Sequence, residues 1–166
     1  MTRSSPRPLL VVVLVMAAAF ILLSGQSLPP LVASHFGPGG NANGFMPRNA
    51  YLGLMVFIAV VIPFALALAH SSVRFLPVHF VSLPNGDYWL APERRDETFT
   101  YLRNHSGYLS VLLASFLSFI HWLVVRANGL QPPHLSTSLF FMGLVLFLLA
   151  VALWVGVLLV HFGRRP

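Results

Sequence analysis

The chain has 166 residues, of which 57% are hydrophobic and only 8% are charged. A soluble domain carries about 25% charged residues, so this composition excludes a soluble fold and makes lipid the solvent for much of the exterior. The net charge of +6 comes from arginines that form no basic stripe, and we therefore expect no nucleic-acid binding. The absence of cysteine excludes disulfides, thiolate metal sites and cysteine nucleophiles.

Four apolar runs predict the membrane-spanning helices: residues 9–23, 51–70, 107–125 and 139–160. The last three contain 20, 19 and 22 residues, and about 20 are needed to cross a bilayer core. The first run has 15 residues and follows Arg7, so it is either a signal peptide or a helix that continues to residue 25 or beyond. The segment after it lacks the small-x-small pattern of a cleavage site, which favours a retained helix.

The arginines are distributed unequally between the two sides of the predicted bundle. Eight of the ten lie in the N-terminal tail, in the second loop (residues 71–106) or in the C-terminal tail. Only Arg48 and Arg126 belong to the first and third loops, residues 24–50 and 126–138. The positive-inside rule therefore predicts that both termini and the second loop are cytoplasmic. Because arginine replaces lysine throughout, as in GC-rich bacteria, we expect a multi-pass protein of the bacterial cytoplasmic (inner) membrane.

The two long loops differ in character. In the first loop, Pro29 and Pro30 predict an extended segment, and the glycines that follow permit tight reversals. The second loop contains all four acidic residues, and Asn85 with the glycine after it is a tight-turn signal. Pro92 suits the first turn of a helix. Residues 92–104 are therefore expected to form a short helix at the cytoplasmic membrane surface.

Small residues predict where the helices touch, because helices in lipid associate by close packing rather than by a hydrophobic driving force. The candidate packing residues are Ser110, Ala114, Ser118 and His121 on one face of the third helix, and Ala152 and Gly156 on the fourth. Phe116 and Phe119 lie off this face and are expected to meet lipid or a partner protein. The predicted fold is all-α: a single domain, residues 1–166, built as a four-transmembrane-helix bundle with a short interfacial helix.

His121 is the one strongly polar side chain predicted to lie well inside a span. Ionisable groups within the membrane are candidates for function by default. The alternative is an interhelical hydrogen bond, made to a backbone carbonyl or to a hydroxyl. The predicted spans contain no carboxylate that could complete a proton relay, and this favours the hydrogen-bonding role.

The other histidines are weaker candidates for chemistry. His70 and His161 end the second and fourth spans on the same side, and paired histidines on facing helices hold haem in membrane cytochromes. His79 and His105 belong to that side too, so the group could bind a metal. Neither reading has a supporting carboxylate or ligand spacing, and we expect no cofactor and no metal. On the outer side, His35 has no acidic residue with which to form a hydrolytic triad, and we expect no enzyme.

Two loop motifs and one helix motif carry a resemblance to a bacterial family. The outer-loop motif consists of Pro29, Pro30, His35, Phe36, Gly37, Gly40 and Gly44. The cytoplasmic-loop motif consists of Asn85, Asp87, Tyr88, Trp89, Pro92, Glu93, Arg94 and Arg95. The third motif runs from His121 to Asn128. Over residues 10–128 the chain resembles the membrane domain of unknown function that opens the SdpI-type immunity proteins and that also occurs in small stand-alone membrane proteins.

The resemblance implies a helical membrane fold and says little about activity. SdpI-type immunity proteins protect the membrane against a peptide toxin, but this chain does not contain their additional C-terminal helices. We therefore expect a non-enzymatic accessory or structural subunit, or a binding partner, in a membrane assembly, with the lipid bilayer and other membrane protein subunits as its partners. Two alternatives remain: an SdpI-like toxin-immunity or envelope-sensing protein that uses residues 35–44, and a haem- or metal-binding membrane protein.

Overall fold

The computed structural model describes residues 6–72, 75, 77 and 80–164, without the side chains of His70 and Ser71. The predictions that concern His79 and the imidazole of His70 therefore lie outside the described residues.

The helices of the described chain are α1 (Arg7–Ser24), α2 (Arg48–Val56), α3 (Ile62–Ser72), α4 (Gly86–Trp89), α5 (Arg95–Asn128) and α6 (Thr137–Gly163). A 3₁₀ turn (Gly25–Ser27) extends α1, and a π-helical turn (Phe57–Val61) joins α2 to α3 in one continuous helix. Four helical segments are long and apolar enough to cross a membrane: Arg7–Ser27, Arg48–Ala69, Arg95–Asn128 and Thr137–Gly163. The predicted all-α fold with four transmembrane helices is confirmed, and the chain is a multi-pass membrane protein.

The second span is irregular just before Pro63. Proline has no N–H with which to bond the carbonyl of Ala59, one turn earlier. The π-helical turn, Phe57–Val61, lies directly before this position, and such turns accompany breaks in the α-helical hydrogen-bond ladder. Ala59 and Pro63 are both fully buried, so this side of the irregular turn faces the interior of the bundle.

The first loop forms a β-hairpin, which the sequence did not predict. Strand β1 (Leu31–Phe36) pairs antiparallel with strand β2 (Ala42–Pro47), and the register shifts between Ala33 and Phe36. This proline- and glycine-rich stretch lacks the regular apolar–polar alternation from which strands are inferred. A two-stranded hairpin is marginal by itself, and this one gains support by burying Val32 and Ala33 completely.

The short helix expected at residues 92–104 has different boundaries. Helix α5 begins at Arg95 and continues without a break to Asn128, so most of the expected surface helix is the first part of the third span. The separate short helix is α4, in the preceding turn. Gly107 does not interrupt α5, and a Cβ atom there would come within 2.8 Å of Pro6 Cγ, so the glycine permits close packing beside the start of α1.

Helix α5 is the central element of the bundle and contacts α1, α3 and α6. We call the end of the bundle that carries β1 and β2 the hairpin end, and the opposite end, where α1 begins and α6 ends, the terminal end. The larger apolar cluster lies towards the hairpin end: Ile21, Leu28, Val32, Tyr51, Leu52, Met55, Ala59 and Val124. The smaller cluster lies between α1 and α5: Leu10, Leu14 and Ala114. Helix α6 packs mainly on α5 and is the peripheral helix.

Candidate functional site

His121 joins three spans through two hydrogen bonds. Its side chain is fully buried, with Nε2 2.9 Å from Ser24 Oγ at the end of α1 and Nδ1 3.0 Å from the Tyr51 hydroxyl on α2. The ring of Phe20 meets the imidazole edge-on, at 5.6 Å between centroids. We call Ser24, His121 and Tyr51 the polar lock. The sequence singled out His121, but its partners come from other spans and carry no local signal.

The directions of these hydrogen bonds follow from the one donor in each hydroxyl. Ser24 Oγ lies 2.6 Å from the carbonyl of Phe20 and donates its hydrogen there. It can then only accept from His121, so Nε2–H is the donor and Nδ1 accepts from the Tyr51 hydroxyl. This arrangement keeps the imidazole neutral and pairs both of its nitrogens. It also leaves Ser24 unactivated, because a nucleophilic serine must donate its hydrogen to the histidine.

Asn128 fastens the β-hairpin to the end of α5. Its Oδ1 accepts from the backbone N–H of Ala33 at 2.8 Å, and its Nδ2 donates to the carbonyl of the same residue at 2.9 Å. A further bond from Nδ2 to the Val124 carbonyl, also at 2.9 Å, fixes the amide on its own helix. We call this arrangement the Asn128 clamp. The side chain imitates a neighbouring strand and satisfies two buried backbone groups of β1.

The tip of the hairpin is held against the third loop. The backbone carbonyl of Gly40 accepts from Leu135 N–H at 2.8 Å, and Asn41 Oδ1 lies 3.2 Å from His134 Nδ1. Gly40 has a φ of +85°, and a Cβ atom there would collide with the Leu135 carbonyl. Glycine is therefore required at this position both by backbone conformation and by close approach.

The other residues of the outer-loop motif also have structural positions. A Cβ atom at Gly44 would come within 2.9 Å of His35 Cβ, so the glycine makes room for this exposed histidine. His35 Nδ1 lies 3.1 Å from Ser34 Oγ. The carbonyl of Pro30 accepts from Arg48 N–H at 2.9 Å, which joins the start of β1 to the start of α2. Phe36 packs partly buried against the larger apolar cluster.

The cytoplasmic-loop motif caps the last turn of α6. Asn85 Nδ2 donates to the carbonyls of Phe162 and Gly163 at 2.9 and 3.2 Å, and Trp89 Nε1 donates to the carbonyl of Phe162 at 3.0 Å. The last carbonyls of a helix have no partner within it, so these side chains supply what α6 lacks. Asn85 has a φ of 54°, the left-handed conformation that asparagine tolerates. We call Asn85 and Trp89 the α6 cap.

The remaining motif residues support this loop or lie on its surface. The guanidinium of Arg94 lies over the ring of Tyr88, 3.9 Å from its centroid. Asp87 is in the first turn of α4, where a negative charge is favourable. Pro92, Glu93, Arg95 and Asp87 are exposed.

Five aromatic rings form a continuous stack at the terminal end of α5 and α6: Trp89, His161, Tyr101, His105 and Trp154. Tyr101 and His161 lie face to face, with centroids 3.7 Å apart. His105 Nε2 donates to the Trp154 carbonyl at 2.9 Å, and Trp154 Nε1 donates to the His105 carbonyl at 2.8 Å. His161 thus stacks on Tyr101 and on Trp89, and its expected haem partner, the imidazole of His70, is not described. Within residues 6–72, 75, 77 and 80–164, His and acidic side chains form no group of three or more that could hold a metal.

The predicted packing face of the third span, α5, is buried. Ser110, Ala114 and His121 are fully inaccessible to solvent, and Ser118 is partly buried. The expected packing face of α6 is different. Ala152 is exposed, and a Cβ atom at Gly156 would meet no atom within 4 Å.

Helix α6 contacts α5 through its other side. The ring of Phe119 occupies the space over Gly143, where a Cβ atom would collide with it. Phe116 stacks on Phe147, with centroids 4.3 Å apart. The expectation that Phe116 and Phe119 face lipid or another protein is therefore wrong. Glycine at 143 allows the large rings of α5 to fill the contact that small residues were expected to make.

The described polar groups thus hold the bundle together: the polar lock joins three spans, the Asn128 clamp fixes the hairpin, and the α6 cap fixes the fourth helix.

Comparison with known protein families, curated proteins and solved structures finds nothing that matches this chain.

Proposed function

We propose that this chain is a non-enzymatic protein of the bacterial inner membrane that serves as an accessory subunit or binding partner in a membrane assembly. One observation carries the proposal. None of the most apolar stretch of α6 is buried within the chain, whereas the corresponding stretches of the other three spans are 22–28% buried. The fourth helix is therefore the one whose surface is most available to another membrane protein.

The chemistry of that surface supports a helical partner. Ala152 and Gly156 are one turn apart on the open side of α6. Small residues at this spacing let two helix backbones approach closely, which is the main source of helix association in lipid. Contact with lipid alone does not require a pair of small residues, because acyl chains adapt to any apolar surface.

The buried polar groups support a structural rather than a chemical role. In the polar lock, both imidazole nitrogens of His121 are paired and the Ser24 hydrogen is held by a carbonyl. Within the described chain, the acidic residues Asp87, Glu93, Asp96 and Glu97 all lie at the terminal end, away from this site. General base catalysis needs a group within hydrogen-bond reach that can take the proton, and among the described residues the base at this site, His121, already has both ring nitrogens paired.

Orientation is part of the proposal. The described arginines at the terminal end are Arg7, Arg94, Arg95, Arg103 and Arg164. Those at the hairpin end are Arg48 and Arg126. By the positive-inside rule, the terminal end faces the cytoplasm and the β-hairpin faces the outside.

Site-specific crosslinking tests the proposal, and the cysteine-free sequence makes single labels unambiguous. A photoreactive maleimide would be attached to Ala152→Cys in native membranes, with Met16→Cys, on the exposed face of α1, as the matched control. We expect a discrete protein adduct from position 152 and only lipid adducts from position 16. Lipid adducts alone from both positions would contradict the accessory role.

A second function is favoured by the hairpin. The N–H and carbonyl of Ala33 point towards Asn128 and away from β2. Ala33 and its partner Phe45 therefore form a non-hydrogen-bonded pair. The backbone N–H and carbonyl of Phe45 consequently point to the other, free edge of β2. Phe45 and Leu31 are also more than half exposed. A fixed strand edge with exposed apolar side chains suits recognition of a peptide outside the membrane, as in the SdpI-like immunity or envelope-sensing alternative.

The alternative has its own test. A strain without this chain would be challenged with membrane-active peptides and complemented with the wild type or with Phe45→Ser. Sensitivity of the strain without the chain, with resistance restored by the wild type but not by Phe45→Ser, would support it. Unchanged resistance in the strain without the chain would count against it.

A further inference from the structure

A cavity of about 180 Å³ opens between the end of α5 and the start of α6, at the hairpin end. Its apolar wall is formed by Leu123, Ala127, Leu130 and Leu139. The polar residues that also line it are Arg126, His134 and Ser136. Because one helix ends and the next begins beside it, the cavity lies at the depth where the membrane changes from hydrocarbon to headgroups.

Arg126 is the cation among the residues that line this cavity, and within the described part of the chain it has no anionic partner. Its guanidinium lies 4.8 Å from the centroid of the Trp122 ring. Among the residues that the structure describes, it donates no hydrogen bond to a protein acceptor, whereas Arg48, at the same end, donates to the Gln26 and Leu28 carbonyls. Guanidinium has five N–H donors, and its fork geometry matches a phosphate. Arg126 is exposed, so these donors are available to an anion from outside the chain.

Two further groups favour an anion at the same place. Ser136 accepts from Leu139 N–H at 3.4 Å as the N-cap of α6, which leaves its own O–H available as a donor. The N-terminus of this 27-residue helix carries a partial positive charge. His134 Nδ1 is already paired with Asn41 Oδ1, so Arg126 and Ser136 are the side-chain donors on which the site is argued.

We propose that this cavity binds the phosphate group of an anionic membrane lipid in the leaflet at the hairpin end. The cavity is smaller than the roughly 300 Å³ at which pockets for whole ligands begin, so it holds the headgroup phosphate, and the acyl chains stay in the bilayer along Leu123 and Leu139. A net anionic lipid is preferred over a zwitterionic one because Arg126 leaves a full positive charge to be balanced. This site does not depend on the accessory role, and either proposal can fail alone.

Native mass spectrometry of the full chain in detergent tests the site, with phosphatidylglycerol, phosphatidylcholine and inorganic phosphate as separate probes. We expect the wild type to retain one phosphatidylglycerol in preference to phosphatidylcholine. Arg126→Gln should weaken that affinity by about tenfold or more, as the loss of a hydrogen bond to a charged group does. Leu139→Trp should also weaken it, because the indole fills the cavity while the charge is kept.

Arg164→Gln is the matched control, since it removes an exposed arginine at the terminal end. Its affinity for phosphatidylglycerol should equal that of the wild type, and circular dichroism should give all three variants the wild-type helix content. Equal affinity of the wild type and Arg126→Gln, or an equal loss in Arg164→Gln, would overturn the proposal. Saturation by inorganic phosphate without retention of lipid would overturn the assignment to a lipid.

Discussion

Removal of the Asn128 clamp should release the β-hairpin while the helices stay folded. Asn128→Ala deletes the amide that pairs with the backbone N–H and carbonyl of Ala33. Ala33 is fully inaccessible to solvent. Each buried polar group left without a partner costs about 1–3 kcal/mol, so the two together cost about 2–6 kcal/mol. The lower value applies if water enters the vacated space. A two-stranded hairpin has too little stability of its own to absorb such a loss.

Hydrogen–deuterium exchange in detergent measures this effect directly. The amides of β1 and β2 should exchange at least tenfold faster in Asn128→Ala, since about 1.4 kcal/mol corresponds to a factor of ten. The amides in the middle of α5 should be unchanged. Asn43→Ala is the matched control, because it removes an exposed amide from the same hairpin. Wild-type exchange rates for the hairpin in Asn128→Ala would refute the reasoning.

Three further predictions concern the lock, the packing face and the orientation. His121→Gln keeps one donor for Ser24 and one acceptor for Tyr51. The melting temperature of this variant in detergent should therefore fall only slightly, because an intramembrane hydrogen bond contributes about 0.6 kcal/mol. A larger loss of stability than in His121→Leu would refute this prediction. Ala114→Phe should destabilise the bundle by about 1–3 kcal/mol through overpacking, and an unchanged melting temperature would contradict the α1–α5 contact. A single cysteine at Asn43 should react with a membrane-impermeant maleimide in intact cells, and one at Asp87 should react only after lysis; the reverse would show the opposite orientation.

The helices could be predicted from the sequence because their signal is local. Twenty consecutive apolar residues must cross the bilayer as a helix, whatever the rest of the chain does. The boundaries were less accurate where polar residues continue a helix beyond the hydrocarbon. At the start of α5, no apolar signal distinguishes a surface helix from an extension of the span, and the structure has the extension, from Arg95 onwards.

The partners of the polar residues could not be predicted, because they are distant in sequence. His121 bonds Ser24 and Tyr51, which are 97 and 70 positions away. The hairpin could not be predicted for the same reason, since its support comes from Asn128, 95 positions from Ala33. Asn85 and the glycine after it indicate a turn, but the hydrogen bond from Asn85 to the Phe162 carbonyl spans 77 positions. A local sequence pattern can therefore indicate the turn at Asn85, but it cannot indicate the distant carbonyl to which the Asn85 side chain bonds.

The position of α6 brings these contacts together. At the terminal end the α6 cap and the stack of His105 on Trp154 hold the helix, and towards the hairpin end Gly143 receives the ring of Phe119. These contacts lie on one side of the helix, so they fix its position without covering Ala152. A helix held only by lipid packing could turn about its axis, because acyl chains distinguish its faces poorly. Directional hydrogen bonds to the Phe162 carbonyl oppose that rotation, and they therefore keep the small-residue side of α6 directed away from the bundle, towards any partner in the membrane.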